Sequence, residues 1–64
     1  MTYSEGVKAL RMKMLLTQTE FAEKLGVAFA TVNRWEKGHH EPTMKEKRKL
    51  APLFKKFRII VGEN

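Results

Sequence analysis

The segment 18–37, QTEFAEKLGVAFATVNRWEK, predicts two short helices joined by a tight turn. Thr17 and Glu20 have the Thr-x-x-Glu spacing of a capping box, so the first helix is predicted to begin at Gln18. Gly26 follows Leu25, and glycine readily adopts the left-handed conformation that often terminates a helix. After a turn of about three or four residues, the second helix is predicted to cover roughly 28–37, which is the order of a helix-turn-helix motif.

This second helix has two chemically different sides. At 100° per residue, the apolar side chains of Ala28, Val32 and Trp35 share one side, which we expect to be buried. The opposite side carries Ala30, Asn33, Arg34 and Lys37, with Phe29 and Thr31 at its two edges. A carboxamide can pair with adenine and a guanidinium with guanine in the major groove of DNA, whereas small or apolar groups can contact a thymine methyl. The alternative is an ordinary amphipathic helix with a solvated face.

The surrounding sequence resembles a known family. The stretches LTQTEFAEKLGV, ATVNRWEKG and EP are similar to the lambda-repressor-like, or Xre-type, helix-turn-helix family over roughly residues 7–53. The positions that carry the resemblance are Leu16, Gln18, Ala22, Leu25, Gly26, Val27, Thr31, Val32, Asn33, Trp35, Glu36, Gly38 and Pro42. The resemblance implies an all-α fold, a compact bundle of four to five helices. It also implies a protein of prokaryotic or phage origin, with double-stranded DNA as its partner.

The resemblance also implies roles for single residues. It implies that Gln18 and Thr31 bind DNA phosphates, and that Phe29, Ala30, Asn33 and Arg34 face base edges. It further implies a structural ion pair between Arg11 and Glu36. We expect Lys37 and His39 to lie near the DNA backbone as well. Phe29 has a second interpretation, in which its ring packs beside the following loop and meets no base.

Ala28 departs from the family pattern. Members of the family usually have Ser or Thr at this position, where the hydroxyl caps the recognition helix. Alanine is a poor N-cap that costs about 1 kcal/mol relative to those residues. We therefore expect the start of this helix to lack a side-chain cap.

Length and charge limit the class of protein. A chain of 64 residues forms a single domain with a small core, and the absence of cysteine excludes disulfides and thiolate metal sites. The net charge is +6 and is unevenly distributed, since residues 37–58 hold eight basic and two acidic side chains. This half of the chain suits a polyanionic partner. The alternative is a lysine-rich surface that only keeps the protein in solution.

Several classes of function are not indicated. No apolar run approaches the length of about 20 residues that spans a bilayer, and no signal peptide is visible, so we expect a cytoplasmic protein without a membrane partner. His39 and His40 are adjacent and diverge, and no further ligand type completes a metal set, so neither a metal nor a cofactor is predicted. Nothing resembles a catalytic pair or a phosphate-binding loop, so the protein is predicted not to be an enzyme.

The remaining elements follow from local signals. A first helix is predicted from Tyr3 to Met14, with Ser4 as its cap. Thr43 and Glu46 form a capping box that opens a fourth helix, and Pro52 is expected to kink it or break it into 43–51 and 52–57. The β-branched run Ile59, Ile60 and Val61 begins a tail (59–64) after a domain that covers 1–58. This run could cover the core, pair with a second subunit, or mark where a longer chain was cut.

These predictions favour a sequence-specific transcriptional regulator that binds double-stranded DNA as a dimer, with subunit contacts through the fourth helix and Ile59, Ile60 and Val61. The alternative is a protein-interaction or antitoxin-like adaptor module that uses Phe29 and the same apolar run. A DNA-binding part of a larger protein is a variant of the first hypothesis.

Overall fold

The computed structural model describes residues 1–62, and four helices occur in this part of the chain. They are α1 (Tyr3–Lys13), α2 (Gln18–Leu25), α3 (Phe29–Glu36) and α4 (Met44–Lys56). The helix α1 packs against both α3 and α4, and α2 packs against α3. The prediction of an all-α bundle with four to five helices is confirmed at its lower number. None of these helices combines the length and apolar character needed to cross a membrane.

Capping boxes define the beginnings of three helices. The hydroxyl of Thr2 accepts a hydrogen bond from the N–H of Glu5, so α1 is capped by Thr2, and the prediction of Ser4 as the cap was wrong. The Ser4 hydroxyl donates to the backbone carbonyl of Glu36 at 2.7 Å and ties α1 to the end of α3. The boxes that open α2 and α4, through Thr17 and Thr43, are present as predicted.

The core lies where the four helices face one another. Trp35 is 1% exposed, so the inward orientation predicted for it is confirmed. Its neighbours are buried apolar side chains from every helix and from the segment after α4: Val7, Leu10, Phe21, Ala22, Leu25, Val32, Leu50, Phe54 and Ile59.

Pro52 lies inside a continuous helix. The helix α4 (Met44–Lys56) is uninterrupted, so the predicted break between 43–51 and 52–57 does not occur. Leu50 and Phe54, on either side of the proline, are both buried in the same core. Burying a large apolar side chain is worth about 1.5–3 kcal/mol, and two such anchors offset the roughly 3 kcal/mol that an interior proline costs.

The segment after α4 folds back onto the bundle. Arg58 adopts a left-handed φ of 57°, and the N–H of Ile59 then donates to the carbonyl of Phe54 at 2.8 Å. Ile59 is buried and Val61 packs against the core, whereas Ile60 is 83% exposed. Of the three interpretations of this run, the covering of the core describes Ile59 and Val61. Within this run of three residues, only Ile60 presents a large apolar surface to the solvent.

Candidate nucleic-acid interface

The turn between α2 and α3 depends on glycine. Gly26 has a φ of 71° and a ψ of 35°, the left-handed conformation predicted from the sequence. The N–H of Val27 then donates to the carbonyl of Ala22 at 3.0 Å and closes the turn. Val27 packs against the core, which directs the chain into the N-cap of α3 at Ala28. The turn therefore sets the position of α3 relative to α2.

The buried side of α3 fixes its rotation about its own axis. Val32 is fully buried and Trp35 is nearly so, and both contact the core formed by α1 and α2. Ala28, the third residue predicted on this side, is exposed at the N-cap, so the prediction that it is buried was wrong. With Val32 and Trp35 inside, the opposite side of the helix must face the solvent. The orientation on which the predicted interface depends is therefore present.

The outward arc of α3 carries the residues predicted to read DNA bases. Phe29 is 50% exposed, and Ala30, Arg34 and Lys37 are also exposed. Thr31 and Asn33 are half-buried, Thr31 at one edge of the arc and Asn33 within it. The structure thus brings the four predicted base-reading side chains onto one surface. The guanidinium of Arg34 forms no ion pair or hydrogen bond within residues 1–62.

Asn33 is held by a neighbour from α2. Its Nδ2 donates to Oε1 of Gln18 at 3.3 Å, and Nε2 of Gln18 donates to Oε1 of Glu36 at 3.1 Å. Gln18 lies in the first turn of α2, where N–H groups have no acceptor within the helix. Both residues were predicted at the interface, but the contact between them was not predicted.

The Arg11–Glu36 ion pair is present and lies beside this contact. Nε of Arg11 donates to Oε2 of Glu36 at 2.7 Å, and a second guanidinium nitrogen donates to Oε1 at 3.0 Å. The two side chains are 16% and 7% exposed. The hydrogen bond to Glu36, with the nearby negative charge, raises the pKa of the Arg11 guanidinium above its usual range against the opposing effect of burial. Removal of either partner would leave the other charge buried, at a cost of about 3–5 kcal/mol.

A family model described as helix-turn-helix matches residues 7–55, which is more than half of the chain. The chain belongs to the lambda-repressor-like (Xre-type) helix-turn-helix family. This is a family of DNA-binding domains. No curated protein and no solved structure matches the chain.

The end of α3 in this helix-turn-helix domain places two further predicted residues. Gly38 has a φ of 74°, and the N–H of His39 donates to the carbonyl of Arg34 at 3.1 Å. Lys37 and His39 are both exposed directly after the last turn of α3. No cluster of three or more potential metal-ligating side chains occurs within residues 1–62.

One cation near the helix-turn-helix was missed by the sequence analysis. A Cβ built on Gly26 would lie 3.7 Å from Nζ of Lys49, so the ammonium of this α4 residue adjoins the turn. Lys47, two residues earlier, is bound elsewhere, since its Nζ is 3.0 Å from Oε2 of Glu41 and 4.9 Å from the centre of the Tyr3 ring. The basic run in α4 indicated an excess of positive charge in the sequence. The different surroundings of Lys47 and Lys49 become visible only from the packing of α4.

Proposed function

We propose that the protein is a transcriptional regulator that binds double-stranded DNA sequence-specifically, with α3 in the major groove. The observation that carries the proposal is the outward arc of α3, which presents Phe29, Ala30, Asn33 and Arg34 together. An α-helix fits the major groove, where the four base pairs offer distinct patterns of donors, acceptors and methyl groups. In this proposal, Asn33 pairs with adenine and Arg34 with guanine.

Phosphate contacts would flank this arc. Gln18 stands at the N-terminus of α2, and the first N–H groups of a helix favour anions. Lys37 and His39 lie beyond the C-terminal end of α3, and Thr31 lies at the edge of its arc. Phosphate contacts at these points would fix the register of α3 along the groove without specifying sequence.

Charge favours a polyanion. The net charge is +6, and residues 37–58 contribute most of the excess. The ammonium of Lys49, beside Gly26, adds a cation close to the turn that precedes α3. Binding of such a surface to DNA releases counterions and should weaken steeply as salt is added.

Dimerisation is part of the proposal, because modules of this type read two half-sites about one helical turn apart. Subunit contacts would use α4 and the exposed side chain of Ile60, which is 83% exposed. Ile59 and Val61 are already used by the core of the same chain, so the apolar surface left for a partner is smaller than the sequence indicated.

The test begins with selection of bound sequences from random duplexes and compares two variants on the selected site. Arg34→Ala should relax the preference at one base pair, by about 1–3 kcal/mol, because a base contact is lost. Lys37→Ala should weaken binding to all duplexes alike and reduce the salt slope by about 1. Both affinities are measured by fluorescence anisotropy over a series of salt concentrations.

Two results would contradict the proposal. One is the absence of any enriched sequence, which would favour the adaptor module that uses the exposed side chains of Phe29 and Ile60. The other is an identical, sequence-independent effect of Arg34→Ala and Lys37→Ala, which would mean that the arc of α3 does not face the bases.

A further inference from the structure

The hydrogen bonds between Glu36, Gln18 and Asn33 run in one direction. The carboxylate of Glu36 can only accept, so the group of Gln18 that faces it must be its NH₂. The carbonyl oxygen of Gln18 is then turned towards Asn33, and the NH₂ of Asn33 must donate to it. Because Arg11 holds both oxygens of Glu36, the orientation of this chain is set by a charge fixed in the scaffold.

We propose that Gln18 is a positioning residue that fixes the flip of the Asn33 carboxamide through the Glu36–Gln18–Asn33 hydrogen bonds, and so sets base preference at the pair Asn33 reads. The inference rests on the proposed function, and it adds a residue that determines specificity through another side chain. It holds whether or not the second hydrogen of the Gln18 Nε2 also binds a phosphate.

The fixed flip has a chemical consequence for base choice. With one Nδ2 hydrogen bound to Gln18, Asn33 keeps its other Nδ2 hydrogen and its Oδ1 acceptor. This donor and acceptor match N7 and the N6 amino group of adenine, whereas guanine offers acceptors only at N7 and O6. A carboxamide free to flip or rotate could turn its NH₂ towards O6 of guanine. Loss of the constraint should therefore relax the preference for adenine over guanine.

The first experiment uses the free protein. Gln18→Met keeps an unbranched side chain of similar length and good helix propensity but removes the carbonyl oxygen and the NH₂ of the carboxamide. Relaxation of the ¹⁵N-labelled side-chain amide of Asn33 should show an ordered group in the wild type. In the variant, its order parameter should fall below about 0.6, the range of flexible groups. Thr19→Ala, at the next and exposed position of α2, is the control and should leave Asn33 ordered.

The second experiment measures binding to the selected duplex and to its adenine-to-guanine variant at the pair affected by Asn33→Ala. A bidentate contact discriminates by about 5- to 150-fold, and Gln18→Met should remove most of that factor. The preference at the pair read by Arg34 should be unchanged. The double variant Gln18→Met/Asn33→Ala should show the same base preference at this pair as Asn33→Ala alone, because the two residues act as a unit.

The outcomes separate the inference from the proposed function. If Asn33→Ala lowers discrimination while Gln18→Met weakens all duplexes equally, Gln18 is only a phosphate contact and the inference is overturned, although the proposed function stands. An equally ordered Asn33 amide in Gln18→Met overturns it too. If Asn33→Ala alters no base preference, the reading face is misassigned and both fail. Thermal melting of Gln18→Met, followed by circular dichroism, verifies that the variant is folded.

Discussion

Ala28 occupies the position at which α3 needs a hydrogen-bond acceptor. Its backbone is already in the extended conformation of an N-cap, with a φ of −74° and a ψ of 149°, but no side chain caps the first N–H groups. The helices α1, α2 and α4 each have a threonine and a glutamate for this purpose. The start of α3 is therefore the one helix beginning within residues 1–62 that lacks a side-chain cap, as predicted from Ala28.

Ala28→Ser should stabilise the protein. A hydroxyl in this extended backbone can accept from the N–H groups of the first turn, which is worth about 0.5–2 kcal/mol. For a domain of this size, each kcal/mol raises the melting temperature by about 4–8 °C. Thermal unfolding followed by circular dichroism measures the change.

The matched control for this prediction is Thr17→Ala, which removes an existing cap and should lower the melting temperature by a comparable amount. If Ala28→Ser leaves the melting temperature unchanged while Thr17→Ala lowers it, the side chain at position 28 does not reach the first turn of α3.

Single-residue prediction succeeded where a signal was local or carried by the family pattern. The caps at Thr17 and Thr43, the left-handed Gly26 and the Arg11–Glu36 pair all belong to this group. The contact between Gln18 and Asn33 was not predicted, because two amide side chains that join different helices have no characteristic spacing in the sequence. Whether the two amides come within hydrogen-bonding distance depends on how α3 is rotated about its own axis and placed against α2.

At the scale of whole elements, the four helices were predictable because hydrophobic periodicity and capping signals agreed. Two predictions were wrong, one because tertiary packing outweighed a local preference and one because two local capping signals competed. Pro52 disfavours an unbroken helix, but the burial of Leu50 and Phe54 holds both parts of α4 against one core. In α1, Thr2 and Ser4 are both good caps, and the pairing with Glu5 decided between them.

The contact between α1 and the segment after α4 depends on a glycine. A Cβ built on Gly6 would lie 2.5 Å from Cγ2 of Val61, closer than any real contact allows. Val61 is β-branched and therefore stiff, so its methyl group cannot easily move away. Gly6 is thus buried in α1 because the returning chain needs the space, although glycine weakens an isolated helix.

Gly6→Ala should destabilise the protein by about 1–3 kcal/mol, despite the better helix propensity of alanine, because overpacking outweighs that gain. Val61→Ala in the same chain should relieve the clash, so the double variant should be more stable than the sum of the two single effects predicts. Gly62→Ala is the control, since its Cβ would meet nothing within 4 Å. Urea denaturation measures the stability of the wild type and of the four variants. Additive effects would mean that 59–61 does not cover α1 in solution.

For the molecule as a whole, composition predicted an excess of positive charge in the second half of the chain but not its arrangement in space. Packing divides these cations into two groups. Some are engaged within the protein, such as Lys47, whose Nζ is 3.0 Å from Oε2 of Glu41. Others, such as Lys49 beside Gly26, lie next to the helix-turn-helix. Equal formal charges should therefore contribute unequally to DNA binding.

Lys49→Gln should weaken binding to every duplex and lower the slope of log K against log salt by about 0.9, the value for one phosphate contact in B-DNA. Lys47→Gln removes the same charge from the same helix, but its ammonium is bound to Glu41 and lies over Tyr3, so the slope should change little. Anisotropy titrations of both variants over a range of salt concentrations make the comparison. Equal losses in the two variants would show that affinity follows net charge, and that the position of the Lys49 ammonium beside the turn has no separate effect.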